Sequence, residues 1–112
     1  MNDTPVRMTL RWSILPVESR SLLSVLQGLM VSTRAEPGCI GCSLSTDMGS
    51  RVVIAYVEEW SDEDYLKRQL RSRRFSVLAE LMEQATGHPT VTFSLPESTR
   101  GLDYAAEVRS DI

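Results

Sequence analysis

The sequence predicts an α+β domain with the element order β-α-β-β-α-β, on three observations. Apolar residues alternate with period two in four short segments, the mark of strands with one buried face. They recur at helical spacing in two longer segments. A short Gly-containing turn, Met48-Gly49-Ser50, joins the second and third strands as a hairpin. The 112 residues are 42% hydrophobic and 24% charged, which suits one ordinary globular domain without repeats.

The first strand is Val6 to Leu15, with Met8, Leu10, Trp12 and Ile14 on one face and Arg7, Thr9, Arg11 and Ser13 on the other, and Pro16 ends it. Ser19 to Ala35 reads as a helix through Leu22, Val25, Leu26, Leu29 and Thr33, with Glu18 and Ser19 suited to its start. Pro37 and Gly38 stop it. Cys39 to Asp47 is the second strand, placing Ile40, Cys42, Leu44 and Thr46 together, and Arg51 to Trp60 is the third. Ser61 suits an N-cap, followed by Asp62, Glu63 and Asp64 where a helix dipole favours negative charge. That helix runs to about Ala85 with a break near Ser72. Its inward side is Tyr65, Leu66, Gln69 and Leu70, then Phe75, Leu78, Leu81 and Met82. Gly87, His88 and Pro89 precede a fourth strand, Thr90 to Leu95.

Residues 1–95 thus form one antiparallel sheet with helices on one face, the ferredoxin-like arrangement. The other face carries Val53, Ala55 and Val57, and a half-apolar face is costly to leave wet. Two such faces packed together close a dimeric α/β barrel, so a homodimer is expected. Residues 96–112 form a polar tail that keeps Leu102, Tyr104, Ala105 and Val108. Those side chains need a surface, and the partner subunit is one candidate; disorder is the other.

The formal charge of -3 and pI near 5.1 argue against a nucleic-acid binder. No apolar run approaches the roughly 20 residues of a membrane span. Met1 to Pro5 lacks the layout of a secretory leader, so a cytoplasmic location is expected. Two cysteines are too few for a disulfide scaffold, and no cluster has metal-ligand spacing.

Glu36-Pro37-Gly38-Cys39, the hairpin ending in Glu58-Glu59-Trp60-Ser61-Asp62, and Leu70-Arg71-Ser72-Arg73-Arg74-Phe75 stand in an order that resembles the antibiotic-biosynthesis monooxygenase family. The resemblance spans roughly Val6 to Leu95. It implies a dimeric barrel and oxidation of quinols or other electron-rich aromatics by O2 with no cofactor. Trp60 matches the family's recurrent tryptophan, able to wall a pocket and stack on a planar substrate. Tyr56 lies on the same face and offers a hydroxyl. Gln69 stands where quinol-oxidising relatives commonly carry histidine; it can orient a hydroxyl but accepts no proton near neutral pH. The catalytic candidates are therefore Trp60, Tyr56 and Gln69, a set without a proton acceptor. Arg71, Phe75 and Arg11 are the substrate-binding candidates. Arg71 or Arg74 would guide an anionic substrate, and Arg11 would line a cavity if its side of the strand faces the helices. Haem-degrading relatives place an iron-ligating histidine where this chain has Ala79 and an asparagine on the first strand, which has none, so that activity is not expected.

The alternative is a non-catalytic dimer that binds a small ligand or a protein partner, which accounts directly for Gln69. Core packing is the structural reading of Trp60 and Tyr56, and a solvated surface group that of His88. Cys39-Ile40-Gly41-Cys42 opens a strand rather than a helix. Residues three apart on a strand point to opposite faces, so packing roles are expected and a disulfide would need a turn at Gly41.

Overall fold

The computed structural model of the chain describes residues 4–110. Residues 1–3 and 111–112, on which the leader and tail readings partly fall, lie outside the described residues. The alternating segment Val6–Ile14 (β1) forms the centre of an antiparallel sheet ordered β2-β3-β1-β4-β5. Its neighbours are β2 (Cys39–Met48), β3 (Val52–Trp60), β4 (Thr90–Ser94) and the two-residue β5 (Thr99–Arg100). Four helices accompany them among the described residues: α1 (Pro16–Arg34), α2 (Glu63–Leu70), α3 (Arg73–Gln84) and α4 (Leu102–Ser110). The β-α-β-β-α-β order holds, with the second helix split and a strand and helix added from the tail. No helix among the described residues is long and apolar enough to cross a membrane.

Period two decides which side chains are interior. Val6, Met8, Leu10, Trp12 and Ile14 of β1 and Val52, Ile54, Tyr56, Glu58 and Trp60 of β3 are all buried on the helix-facing side. Leu26, Leu66, Leu70, Phe75 and Leu78 close over them. Each such apolar side chain contributes roughly 1.5–3 kcal/mol by leaving water. On the opposite face, Val53, Ala55 and Val57 are half-buried, while Arg7 and Arg11 are exposed.

The helix boundaries differ from the sequence reading in ways that local chemistry explains. The first helix begins at Pro16, three residues before Ser19, because proline's fixed φ suits the first helical position and its missing N–H costs nothing there. The Ser19 hydroxyl instead donates to the Pro16 carbonyl at 2.7 Å. Asp62, not Ser61, caps α2 by accepting the Tyr65 N–H. Ser72 marks the break and caps α3 by accepting the Phe75 N–H.

Two further departures concern β2 and the tail. A bulge between Cys39 and Gly41 shifts the register of β2 against β3, so Ile40 is 56% exposed rather than facing inward with Cys42. The tail packs on its own chain. Tyr104, Ala105 and Val108 are buried, the Tyr104 ring lies 5.0 Å from that of Phe93, and its hydroxyl donates to Glu63 at 2.6 Å. Arg109 donates to the Leu70 carbonyl at 2.6 Å, occupying an acceptor that the end of α2 leaves free.

A buried carboxyl cluster as the candidate active site

Tyr56, Glu58 and Trp60 alternate along β3, so all three point toward the helices. Glu58 is fully buried, with Cys42 of β2 and Met8 of β1 as its lateral neighbours in the sheet. A carboxyl so placed must have hydrogen-bond partners. The Tyr56 hydroxyl donates to its Oε2 at 2.9 Å, the Trp60 indole N–H to its Oε1 at 3.0 Å, and the Gln69 amide N–H to Oε2 at 3.2 Å.

The helices complete the cluster. Gln69 descends from α2 and Thr33 from α1, the Thr33 hydroxyl lying 3.5 Å from both Tyr56 Oη and Gln69 Nε2. The Gln69 carbonyl oxygen accepts from Arg74 Nε and Nη2 at 3.2 and 3.1 Å and from the Ser72 hydroxyl at 3.4 Å. Because guanidinium only donates, this fixes the amide with its oxygen outward and its NH2 on Glu58. Arg74 is held in turn by an ion pair with Glu36 at 3.0 Å, in the turn that leads into β2.

Burial works against the ionised form of this carboxyl. Burial pushes the Glu58 carboxyl above its ordinary range; the donors Tyr56, Trp60 and Gln69, and then the charge of Arg74, oppose this more weakly. Burial, and next the neighbouring Glu58, likewise hold the Tyr56 phenol far above its usual value. The Cys42 thiol is pushed up to about 12, first by burial. What the cluster can do chemically is take up or return a proton at Glu58 while phenol, indole and amide donors stay aimed at it.

Of the residues singled out from sequence, Trp60, Tyr56 and Gln69 meet around one carboxyl. Phe75 is buried beneath α3, with the Arg109 guanidinium 5.9 Å from its ring centroid. Arg71 is exposed and donates to the Val108 carbonyl at 3.3 Å, tying α2 to α4. Arg11 is exposed on the face away from the helices, so the condition for it to line an interior cavity is not met. His88 is exposed. Glu58, Thr33 and Arg74 complete the cluster and were not assigned to it. Parity would have found Glu58: of the adjacent acids Glu58 and Glu59, only the first is in phase with Val52, Ile54, Tyr56 and Trp60.

A cleft of about 1070 Å³ lies between α3, α4 and the start of β4, lined by Phe75, Ala79, Met82, Val91, Ala105 and Arg109 among others. Smaller clefts lie beside α1 and beside α4. None of the three is lined by Tyr56, Glu58, Trp60 or Gln69.

A ferredoxin-like sheet with a buried, donor-ringed carboxyl under its helices defines the class, a small α+β domain with an interior polar cluster. The particular family follows from comparison. The sequence model of the antibiotic biosynthesis monooxygenase family matches residues 5–81, and the chain belongs to that family. No curated protein matches it. Among solved structures, Rv0793 from Mycobacterium tuberculosis is similar at 25% identity and a TM-score of 0.67, over 83% of this chain and 95% of that one. A conserved protein from Methanosarcina mazei Go1 aligns with a TM-score of 0.70 at 19% identity, over 83% and 93% of the two chains. A structure described as an antibiotic biosynthesis monooxygenase aligns at 24% identity with a TM-score of 0.66, over 79% and 94%.

Proposed function

We propose that this chain is a cofactor-independent monooxygenase that oxidises a quinol or similar electron-rich aromatic with O2, and that Glu58 is its proton acceptor. The observation that carries the reading is the fully buried Glu58 carboxyl, ringed by Tyr56, Trp60 and Gln69. It supplies the acid–base group that the glutamine at position 69 cannot. Burial strengthens Glu58 as a base, bringing its proton affinity closer to that of a phenolic hydroxyl. The ionised fraction takes the substrate proton, and the resulting anion reduces O2. For an anthrone, one oxygen atom becomes the new ring carbonyl and the other leaves as water with the two hydrogens of the oxidised methylene. Tyr56 and Gln69 orient the substrate oxygen, Trp60 walls the ring, and Phe75 and Arg71 belong to the approach.

Members of this family are typically dimers, and the half-buried Val53, Ala55 and Val57 face is the surface through which two copies would close a barrel. The cytoplasm, where Cys39 and Cys42 stay reduced, is the location that fits.

One observation favours a second reading, a non-catalytic dimer that binds a small ligand or a partner: the four polar residues of the cluster line none of the three clefts. O2 uptake by the purified chain with menadiol and a panel of anthrones, metals chelated and no flavin added, separates the two. The oxygenase reading expects uptake above the buffer rate, lowered on the order of 100-fold or more by Glu58→Gln and lowered also by Tyr56→Phe and Trp60→Phe. Uptake at the buffer rate across the panel sinks it. Unchanged turnover in the Tyr56 and Trp60 variants makes those two residues packing alone.

A further inference from the structure

The bulge at the start of β2 reverses the geometry expected for the two cysteines. Cys39 lies opposite Trp60, Gly41 opposite Glu59 and Cys42 opposite Glu58. The extra residue, Ile40, is taken up in the bulge and turned outward. Directly paired residues share a face of the sheet, and Trp60 and Glu58 both face the helices. Cys39 and Cys42 are therefore same-face neighbours, opposite residues two apart on β3. Two strand residues span about 6.6 Å, at the upper end of the Cα separations that a disulfide bridges, so the bulged backbone must draw the two Cβ atoms together for the bond to close.

The side chains agree with this placement. Cys42 is buried at 4% exposure, and Cys39 is half-buried against the same core. The Cys39 thiol donates to the Gly41 carbonyl at 3.5 Å, so its sulfur lies along the backbone immediately before Cys42. A Cβ on Gly41 would meet nothing within 4 Å, which leaves the opposite side of the strand open for the backbone to adjust.

We infer that Cys39 and Cys42 are a dithiol that a peroxide oxidises to an intrachain disulfide. Cys39, the more accessible thiol, attacks the O–O bond as thiolate and becomes the sulfenic acid, releasing hydroxide. The Cys42 thiol then displaces hydroxide from that sulfur, and the S–S bond forms with loss of water. In total two thiols lose two hydrogens and one peroxide becomes two waters. Both thiols are held in their protonated form, chiefly by burial, so oxidation is slow. A bridge closed across so few residues at a bulge is strained, which makes it readily reducible and the step reversible.

The test uses the full-length wild-type chain, exposed to excess hydrogen peroxide under native conditions, then unfolded, alkylated with N-ethylmaleimide and digested with trypsin. The expected product is the Ala35–Arg51 peptide lighter by two hydrogens and carrying no alkyl group, with both labelling sites restored by dithiothreitol. Tryptophan fluorescence recorded before unfolding checks that the oxidised chain is still folded. Cys39→Ser and Cys42→Ser chains should each give no such peptide. Full alkylation of both cysteines after peroxide, separate over-oxidation of each sulfur, or disulfides only between chains would each overturn the inference. The readout is mass, so it stands or falls independently of any oxygenase turnover.

Discussion

Replacing Glu58 by glutamine tests whether the interior carboxyl holds its proton. In the unfolded chain the group titrates near an ordinary glutamate value, while burial raises it in the folded chain. Between those two values the folded state keeps a proton that the unfolded state has released. Stability is therefore fully present below the unfolded value and falls as pH rises, by about 1.4 kcal/mol per pH unit for one proton, until the folded carboxyl ionises. Glutamine at this position cannot titrate. Its NH2 must face either the Gln69 amide N–H or the Trp60 indole N–H, a donor–donor conflict that costs about 1–3 kcal/mol. The wild type should thus be the more stable form near pH 4.5 by about that amount, and the gap should narrow as pH rises above it. Urea unfolding of both forms, followed by tryptophan fluorescence at one fixed protein concentration across this range, reads the difference directly. Parallel stability curves, with a constant gap, would refute the reasoning: Glu58 would then titrate at an ordinary value and be no strengthened base.

Two other substitutions probe what holds the site in place. Gly38 has φ +84, and a Cβ built there would lie 2.2 Å from Cγ of Tyr65. Gly38→Ala should therefore lower stability by more than about 1–3 kcal/mol, the cost of backbone strain alone, in the same urea assay; a loss within that range would mean that Tyr65 moves aside freely, and an unchanged midpoint would refute the strain as well. Tyr104→Ala removes the contact with Phe93 and the hydrogen bond to Glu63, and should cost roughly 3–5 kcal/mol. Because α4 packs on its own chain, the loss should be the same at low and high protein concentration; a loss that varies with concentration would place the tail on a partner.

The split between what sequence and fold each decide is visible at β3 and β2. Period two along Val52 to Trp60 needs no partner to be read, because side chains of any strand alternate. It places Tyr56 and Trp60 inward and, followed one step further, Glu58 with them. The helical stripe that carries Gln69, the break at Ser72 and the stop at Gly38 are equally local, since capping oxygens, proline and glycine act on their own backbone. Exact helix starts are less legible: α1 begins at Pro16 with no side-chain cap, and at α2 the adjacent Ser61 and Asp62 both suit the N-cap, which Asp62 takes.

Sequence alone determined the order of the elements, the inward faces of β1 and β3, and the resemblance later confirmed as family membership. Only the tertiary structure decided the rest. Gln69 of α2 reaches Glu58, and Thr33 of α1 and Arg74 of α3 hold Gln69 there, a convergence set by how the helices pack rather than by spacing along any one of them. The tail found its surface on β4 and α2 of its own chain through contacts across distant segments. The β2 bulge, which brings Cys39 and Cys42 to one face, depends on the register with which β3 pairs beside it. Hydrogen bonds between strands fix that register, and alternation within a single strand carries no record of it.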